Sequence, residues 1–271
     1  MRTKTEFLLY LLSWRSGHLR TPSRQPLHQS FESWAYKNGF LPQIESLIAK
    51  GYLEKHPPSD SLNGFVELTR AGQKAAQGDL WPEKAWAKKW DRVWHLILFD
   101  LPACETALRK EFLRTLRTNR FGCLQGSVWV GPRLPKPMKK YLKTHPSRPC
   151  RLVYLKSASE GKDQDRRMVR DAWNFNQIHQ EYLNLLQILN EFQHIGNAKQ
   201  LLDWAQREWQ TWKTICEKDP MLPGVLQPAD YPGPEVWHKR KKVLKQAGLL
   251  ASDLFVSPET NKSERRCWGK S

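Results

Sequence analysis

The chain has 271 residues, enough for two or three domains with a sizeable core. Hydrophobic residues make up 39% of it and 13 are Trp, which excludes a disordered polymer, and no apolar run is long enough to span a bilayer. A net charge of +17 calls for a polyanionic partner, and without a membrane segment nucleic acid is favoured over lipid.

In chain order, the first predicted element is a helix over residues 5–14, rich in Phe7, Leu8, Tyr10, Leu11 and Leu12. A polar break with Gly17, Pro22 and Pro26 follows, then a short helix over 31–36 that stops at Asn38-Gly39. Residues 40–50 predict a third helix, with Pro42 in its first turn and Ile44, Leu47 and Ile48 on one apolar face. Gly51 ends it, a strand starts at Tyr52-Leu53-Glu54, Phe65-Val66-Glu67-Leu68 returns, and another helix opens at Thr69. The wording Lys-Gly-Tyr-Leu-Glu … Glu-Leu-Thr-Arg-Ala-Gly is similar to many winged helix-turn-helix domains. If such a head reads DNA, the helix from Leu41 to Lys50 enters the major groove, with Gln43, Ser46 and Lys50 on its exposed face. Arg15, Arg20, Arg24 and Lys37 then hold phosphates, positioning without specifying. Glu45 on the same face favours the competing use of such a head, in dimerisation or protein contact.

Residues 81–90 form an aromatic and basic connector, in which Trp81, Trp86 and Trp90 suit either base stacking or packing on the next domain. Residues 93–99 then predict a buried strand, too short for a core helix and closed by Pro102. A helix over 105–118 follows, alternating Leu108, Phe112, Leu113 and Leu116 with Arg109, Lys110, Arg114 and Arg117. The run Phe121 to Pro132 reads as a second strand after a Gly-rich turn. A more basic helix over 135–144 and a strand over 151–155 complete a ferredoxin-like unit. Residues 81–160 hold 17 Lys and Arg against 6 Asp and Glu, whereas residues 1–80 hold 10 against 7. The positive field therefore sits in the middle of the chain.

The stretch Trp90-Asp91-Arg92-Val93-Trp94-His95-Leu96-Ile97-Leu98-Phe99-Asp100-Leu101-Pro102 resembles the middle domain of PaaX-type transcriptional repressors. That domain is itself similar in fold to the small CRISPR-adaptation nuclease subunit. The second likeness makes Asp100, at the end of the strand, a candidate metal-binding acid in an alternative reading as a Mg²⁺-dependent nuclease. No second carboxylate stands at a convincing spacing, and a structural cap for the following helix is the favoured role.

Residues 161–170 read as a charged, loop-like boundary. Residues 171–193 and 198–213 then predict an antiparallel helix pair, the first carrying Trp173, Ile178, Tyr182 and Leu185, the second Leu201, Trp204, Trp209 and Trp212. The run Asp219-Pro220-Met221-Leu222-Pro223 … Leu226-Gln227-Pro228-Ala229-Asp230-Tyr231-Pro232-Gly233 predicts an ordered loop and resembles the corresponding loop of the PaaX-type C-terminal domain. A last helix over 234–246 is basic on one side, and the tail from 252 is polar and expected to be mobile.

The expected fold is therefore α+β, divided into a winged helix-turn-helix at 1–80, a linker at 81–90, a ferredoxin-like domain at 91–160, a helical domain at 161–250 and a tail at 251–271. The resemblance implies a DNA-binding repressor, a homodimer, released from double-stranded DNA by a small acidic effector such as an aryl-acyl-CoA. For that ligand the C-terminal helices offer Trp173, Tyr182, Trp209 and Trp237 as aromatics and Arg170, Lys239 and Arg240 as phosphate partners. No cofactor, metal or membrane partner is expected. Five scattered cysteines with no C-x-x-C pair suit a reducing cytoplasm. No nucleophile elbow, phosphate-cradling Gly loop or paired acids at catalytic spacing mark an enzyme.

Overall fold

The computed structural model describes residues 3–16, 39–56, 65–77, 81–100, 106–144 and 151–255. The chain is mixed helix and sheet and divides into two compact units. One comprises residues 1–78, 186–210 and 237–271; the other comprises 79–185 and 211–236. The residues of the C-terminal helical segment are thus shared between the units. The short helix expected over 31–36 lies outside the described residues.

In the first unit, α1 (Thr3–Ser16) packs against the helices and hairpin that follow it. Phe7, Leu8, Leu9, Tyr10, Leu12 and Trp14 are all buried, so this helix is enclosed on most sides rather than along one stripe. Next, α2 (Leu41–Ala49) buries Ile44 and Leu47. It ends in a Schellman motif: Gly51 N–H donates to Ile48 O and Tyr52 N–H to Leu47 O, each at 2.9 Å. Gly51 stands at φ +69°, where a Cβ would be strained, which is why the helix stops there and the chain turns into a strand.

That strand, β1 (Leu53–His56), pairs antiparallel with β2 (Phe65–Leu68), Leu53 opposite Leu68 and His56 opposite Phe65. Thr69 then caps α3 (Arg70–Gln77): its Oγ accepts from Gly72 N–H at 3.0 Å and donates to Gly51 O at 2.7 Å. A Cβ at Gly72 would fall 2.0 Å from Tyr52 O, so only glycine lets α3 close on the start of β1.

The second unit opens with a short α4 (Glu83–Trp86) and is built on a four-stranded antiparallel sheet. Chain order is β3 (Val93–Asp100), α5 (Thr106–Thr118), β4 (Gly122–Gln125), β5 (Val128–Gly131), α6 (Lys136–Thr144) and β6 (Arg151–Ala158). Spatial order is β4-β5-β3-β6, the split βαβ arrangement. The stretch 121–132, read as one strand, is two: a turn at Gly126-Ser127 folds it into a hairpin with Val130 opposite Gly122.

Side-chain alternation on β3 gives the sheet two covered faces. Ile97 and Phe99 join Trp129, Phe112 and Leu116 of α5, and Met138 of α6, in one apolar cluster. On the other face Trp94 and Val130 pack with Val169, Trp173, Leu222 and Leu226.

Val169 belongs to α7 (Lys162–Ala172), which corrects the reading of 161–170 as a loop. Only Asp165, Val169 and Ala172 are buried on this helix, and one of them is a carboxylate, so a count of apolar residues undervalues the segment. Asp165 takes the place of an apolar contact by accepting from Trp94 Nε1 at 2.8 Å and from Ser159 Oγ at 2.7 Å.

Three longer helices follow: α8 (Phe175–Glu191), α9 (Ala198–Lys218) and α10 (Gly233–Phe255). The first two run antiparallel, with Trp204 Nε1 donating to Ile188 O at 2.7 Å and Lys218 paired with Glu181 at 2.5 Å. Both α9 and α10 outrun the expected 198–213 and 234–246. Ile215 prolongs the buried side of α9, and Ala247 that of α10. Helix therefore reaches into what was expected to be tail. No described helix is long and apolar enough to cross a membrane.

Candidate DNA-reading face and ligand cleft

On α2 the most exposed side chains are Leu41, Pro42, Glu45, Ala49 and Lys50, while Gln43 and Ser46 are half-buried. With its amide oriented so that nitrogen faces the two carbonyls, Gln43 donates to Gly39 O at 3.0 Å and Phe40 O at 3.2 Å. That fixes the amide and leaves its oxygen free to accept. Arg15 lies in the last turn of α1, whereas Arg20, Arg24 and Lys37 lie outside the described residues, as do residues 57–64 between β1 and β2 in the sequence. At the described base of the hairpin, His56 pairs with Glu67 at 3.5 Å.

The seven residues expected to line an effector site are divided between the two units. Trp173, Tyr182 and Arg170 belong to the second unit; Trp209, Trp237, Lys239 and Arg240 belong to the first. Trp173 packs beside Trp94, with ring centroids 6.5 Å apart, and Trp209 lies 5.6 Å from Phe7. Lys239 bonds to Asn190. Arg240 is buried: it donates to Glu208 and lies over the rings of Tyr10 and Trp237. These aromatics fill cores, and Arg240 neutralises a buried carboxylate instead of meeting solvent.

Tyr182 has a different role, in a polar cluster that shapes the 219–233 loop. Asp219 accepts from Tyr182 Oη at 2.7 Å, from Tyr231 Oη at 2.6 Å and from the Met221 backbone N–H at 2.7 Å. Arg120 Nη1 donates to the Asp219 carbonyl at 2.6 Å. Burial pushes the Asp219 carboxyl above its ordinary range, with the three hydrogen bonds pulling back. Burial and the neighbouring carboxylate push both tyrosine hydroxyls up, so they stay protonated as donors. Phe175 and Trp86 meet the Tyr231 ring edge-on at 6.0 and 6.1 Å.

Beside this cluster the second unit opens a cleft of about 650 Å³ between α7, the start of α8 and residues 225–232. Val169, Phe175, Leu226 and Pro228 give it an apolar floor, and Tyr231 and His179 border it. Lys162, Arg166 and Arg170, four residues apart on α7, place three cations along one edge. Arg166 also touches Asp163 at 3.4 Å and Arg170 touches Asp171 at 3.0 Å, both on the open surface. Of the two carboxylates lining the cleft, Asp165 is engaged by Trp94 and Ser159, which leaves Asp230. Of the expected ligand residues only Arg170 is here. The four-residue cationic spacing from Lys162 and the Asp230-Tyr231-Pro232 motif were the signals in the sequence for the rest.

Asp100 is exposed at the end of β3, opposite Arg151 of β6. Residues 101–105, where it was expected to cap the next helix, lie outside the described residues. Among the described residues no three His, Cys, Asp or Glu gather as a metal would require. In the connector, Trp90 stacks edge-on to Trp94 at 5.0 Å and donates to Val93 O, so it and Trp86 are packed; Trp81 is exposed.

The split βαβ sheet with its basic helices is the part of the chain that a known family describes. Residues 87–169 match the family model of the PaaX protein central Cas2-like domain. That segment therefore carries a PaaX-type central domain, as the Trp90–Pro102 stretch indicated. None of the curated proteins matches the chain. It is similar to the solved structure of the uncharacterized protein Rv0674 from Mycobacterium tuberculosis, at 16% identity and a TM-score of 0.57, over 92% of this chain and 96% of that one. At that identity the likeness shows a common fold.

Proposed function

We propose that this protein is a DNA-binding transcription regulator, a repressor whose N-terminal winged helix-turn-helix reads an operator and whose release follows binding of a small acidic effector. The observation that carries the reading is the PaaX-type central domain at 87–169. The order α1, α2, hairpin, α3 in the first unit supports it, because a helix halted by a Schellman turn and followed by a two-stranded wing suits a groove-reading head. In this reading α2 lies in the major groove. Gln43 accepts from a base edge, Ser46 and Lys50 flank it, and Arg15, Arg20, Arg24 and Lys37 hold phosphates. A homodimer reading two half-sites, in the cytoplasm, completes the picture.

The effector belongs in the cleft beside Tyr231 rather than among the aromatics first expected. Its size falls within the range of small-molecule sites, and an apolar floor edged by three cations suits an aryl-acyl-CoA, apolar at one end and phosphorylated at the other. Release requires that the ligand bind the DNA-free form more tightly, since equal affinity for both forms shifts nothing.

Binding of the intact protein to duplex from upstream of its own transcription unit tests the first part. Gln43→Ala should relax preference at one base position at a cost of about 1–3 kcal/mol, while Arg24→Ala weakens all duplexes alike. Equal losses on cognate and random duplex in both variants would sink base reading by α2. For the second part, phenylacetyl-CoA, free CoA and unrelated acyl-CoAs are titrated against the protein–operator complex. If none releases DNA or changes Trp fluorescence at millimolar concentration, the acyl-CoA assignment fails.

A further inference from the structure

The two helices on one side of the central sheet carry charge that neither the head nor the cleft uses. Both pack their apolar residues inward on the same cluster, and the Phe112 ring of α5 stacks on Tyr141 of α6 at 5.5 Å, so they lie side by side. Outward, α5 exposes Arg109, Lys110, Arg114 and Arg117, and α6 exposes Lys136, Lys139, Lys140 and Lys143. Glu111 is the single carboxylate on either helix, and among the described residues none of the eight cations is ion-paired. Like charges at this density repel one another unless a polyanion neutralises them.

What the face lacks defines its partner. Of its two aromatic residues Phe112 is buried and Tyr141 is half-buried against the same cluster, so the face offers no row of exposed rings for unpaired bases as single-strand platforms do. Nor does it carry Asn or Gln, the side chains that read adenine bidentately. Lysine and arginine heads on two short helices suit phosphate binding without sequence information.

We infer that α5 and α6 form a second contact with duplex DNA, a surface that follows the phosphate backbone next to the site the head reads. This rests on duplex DNA being the partner of the whole protein, but not on α2 reading its sequence. The face contributes affinity on any duplex, and the head contributes the preference among duplexes.

The test is the salt dependence of binding by the full chain, on operator and on scrambled duplex, with Lys110, Arg114, Lys139 and Lys143 replaced together by Gln. All four are exposed and none lies over an aromatic ring, and circular dichroism and a melting curve check that the fold is retained. For each phosphate that the variant no longer neutralises, the slope of log K against log salt becomes shallower by about 0.9, so a change of about three to four is expected on both duplexes. The ratio of operator to scrambled affinity should stay the same. An unchanged slope overturns the inference, as does a weakening confined to single strands or RNA. The two readings fail separately. A protein with no operator preference, whose slope still responds to the four substitutions, loses the head's reading and keeps this face. One with operator preference and an unresponsive slope loses the face alone.

Discussion

Arg240 and Glu208 form a buried ion pair, Nε to Oε1 at 2.5 Å, with 4% and 0% of their surfaces exposed. Tyr10 of α1 donates to the second carboxylate oxygen, which also accepts from Arg240 Nη2 at 3.3 Å. One carboxylate on α9 thus ties the first helix of the chain to α10. Burial, then the neighbouring charge of Glu208, push the Tyr10 hydroxyl well up, so it remains a donor.

Removing one partner of this pair leaves a buried charge uncompensated. Arg240→Ala should therefore destabilise the protein by about 3–5 kcal/mol in urea unfolding. Tyr10→Phe should cost only about 1–3 kcal/mol, because Glu208 keeps its cation. Equal losses in the two variants would show that the charge pair is not the dominant element.

Asp219 gives a pH-dependent prediction. Its folded pKa is raised above the unfolded value, so relative to the unfolded chain its contribution is fully present below the unfolded pKa and declines as pH rises through the folded one. The stability difference between wild type and Asp219→Asn should accordingly move in favour of wild type as pH falls toward the ordinary carboxylate range. Asp219→Ala should be the worse variant at pH 7, since two buried tyrosine hydroxyls lose their acceptor at about 1–3 kcal/mol each. Melting curves of the three proteins across pH 4–8 (roughly the range of carboxylate linkage) check both statements.

For the cleft, Arg170→Ala should weaken binding of phenylacetyl-CoA by about tenfold, equivalent to about 1.4 kcal/mol, with little change in stability because the side chain is exposed. Lys239→Ala, whose ammonium bonds to Asn190 and does not line the cleft, should leave that affinity unchanged. Calorimetric titration distinguishes the two, and equal effects would remove the cleft from consideration.

Asp100 is the test of the nuclease alternative. Incubation with Mg²⁺ or Mn²⁺ should leave labelled RNA, single-stranded DNA and duplex intact, since a metal-dependent phosphodiesterase needs carboxylates gathered around the scissile phosphate. Cleavage abolished by Asp100→Asn would restore that alternative.

Local pattern determined much of this protein. The apolar period placed α2 and α5, Gly51 ended α2, and the short apolar run at 93–99 marked the central strand, because helix and strand periods are written into neighbouring residues. The same period failed at α7, whose buried side includes Asp165; a carboxylate becomes a core residue only when Trp94, 71 positions earlier, donates to it. Sequence also supplied the aromatics of the C-terminal helices but not their use. Trp209 and Trp237 could line a pocket or fill a core, and tertiary packing decided for the core by burying them against Phe7 and Arg240. The cleft became legible only when Asp219 drew Tyr182 and Tyr231 together and set the 225–232 segment opposite the cations of α7, a meeting of residues some 60 positions apart that no local signal encodes.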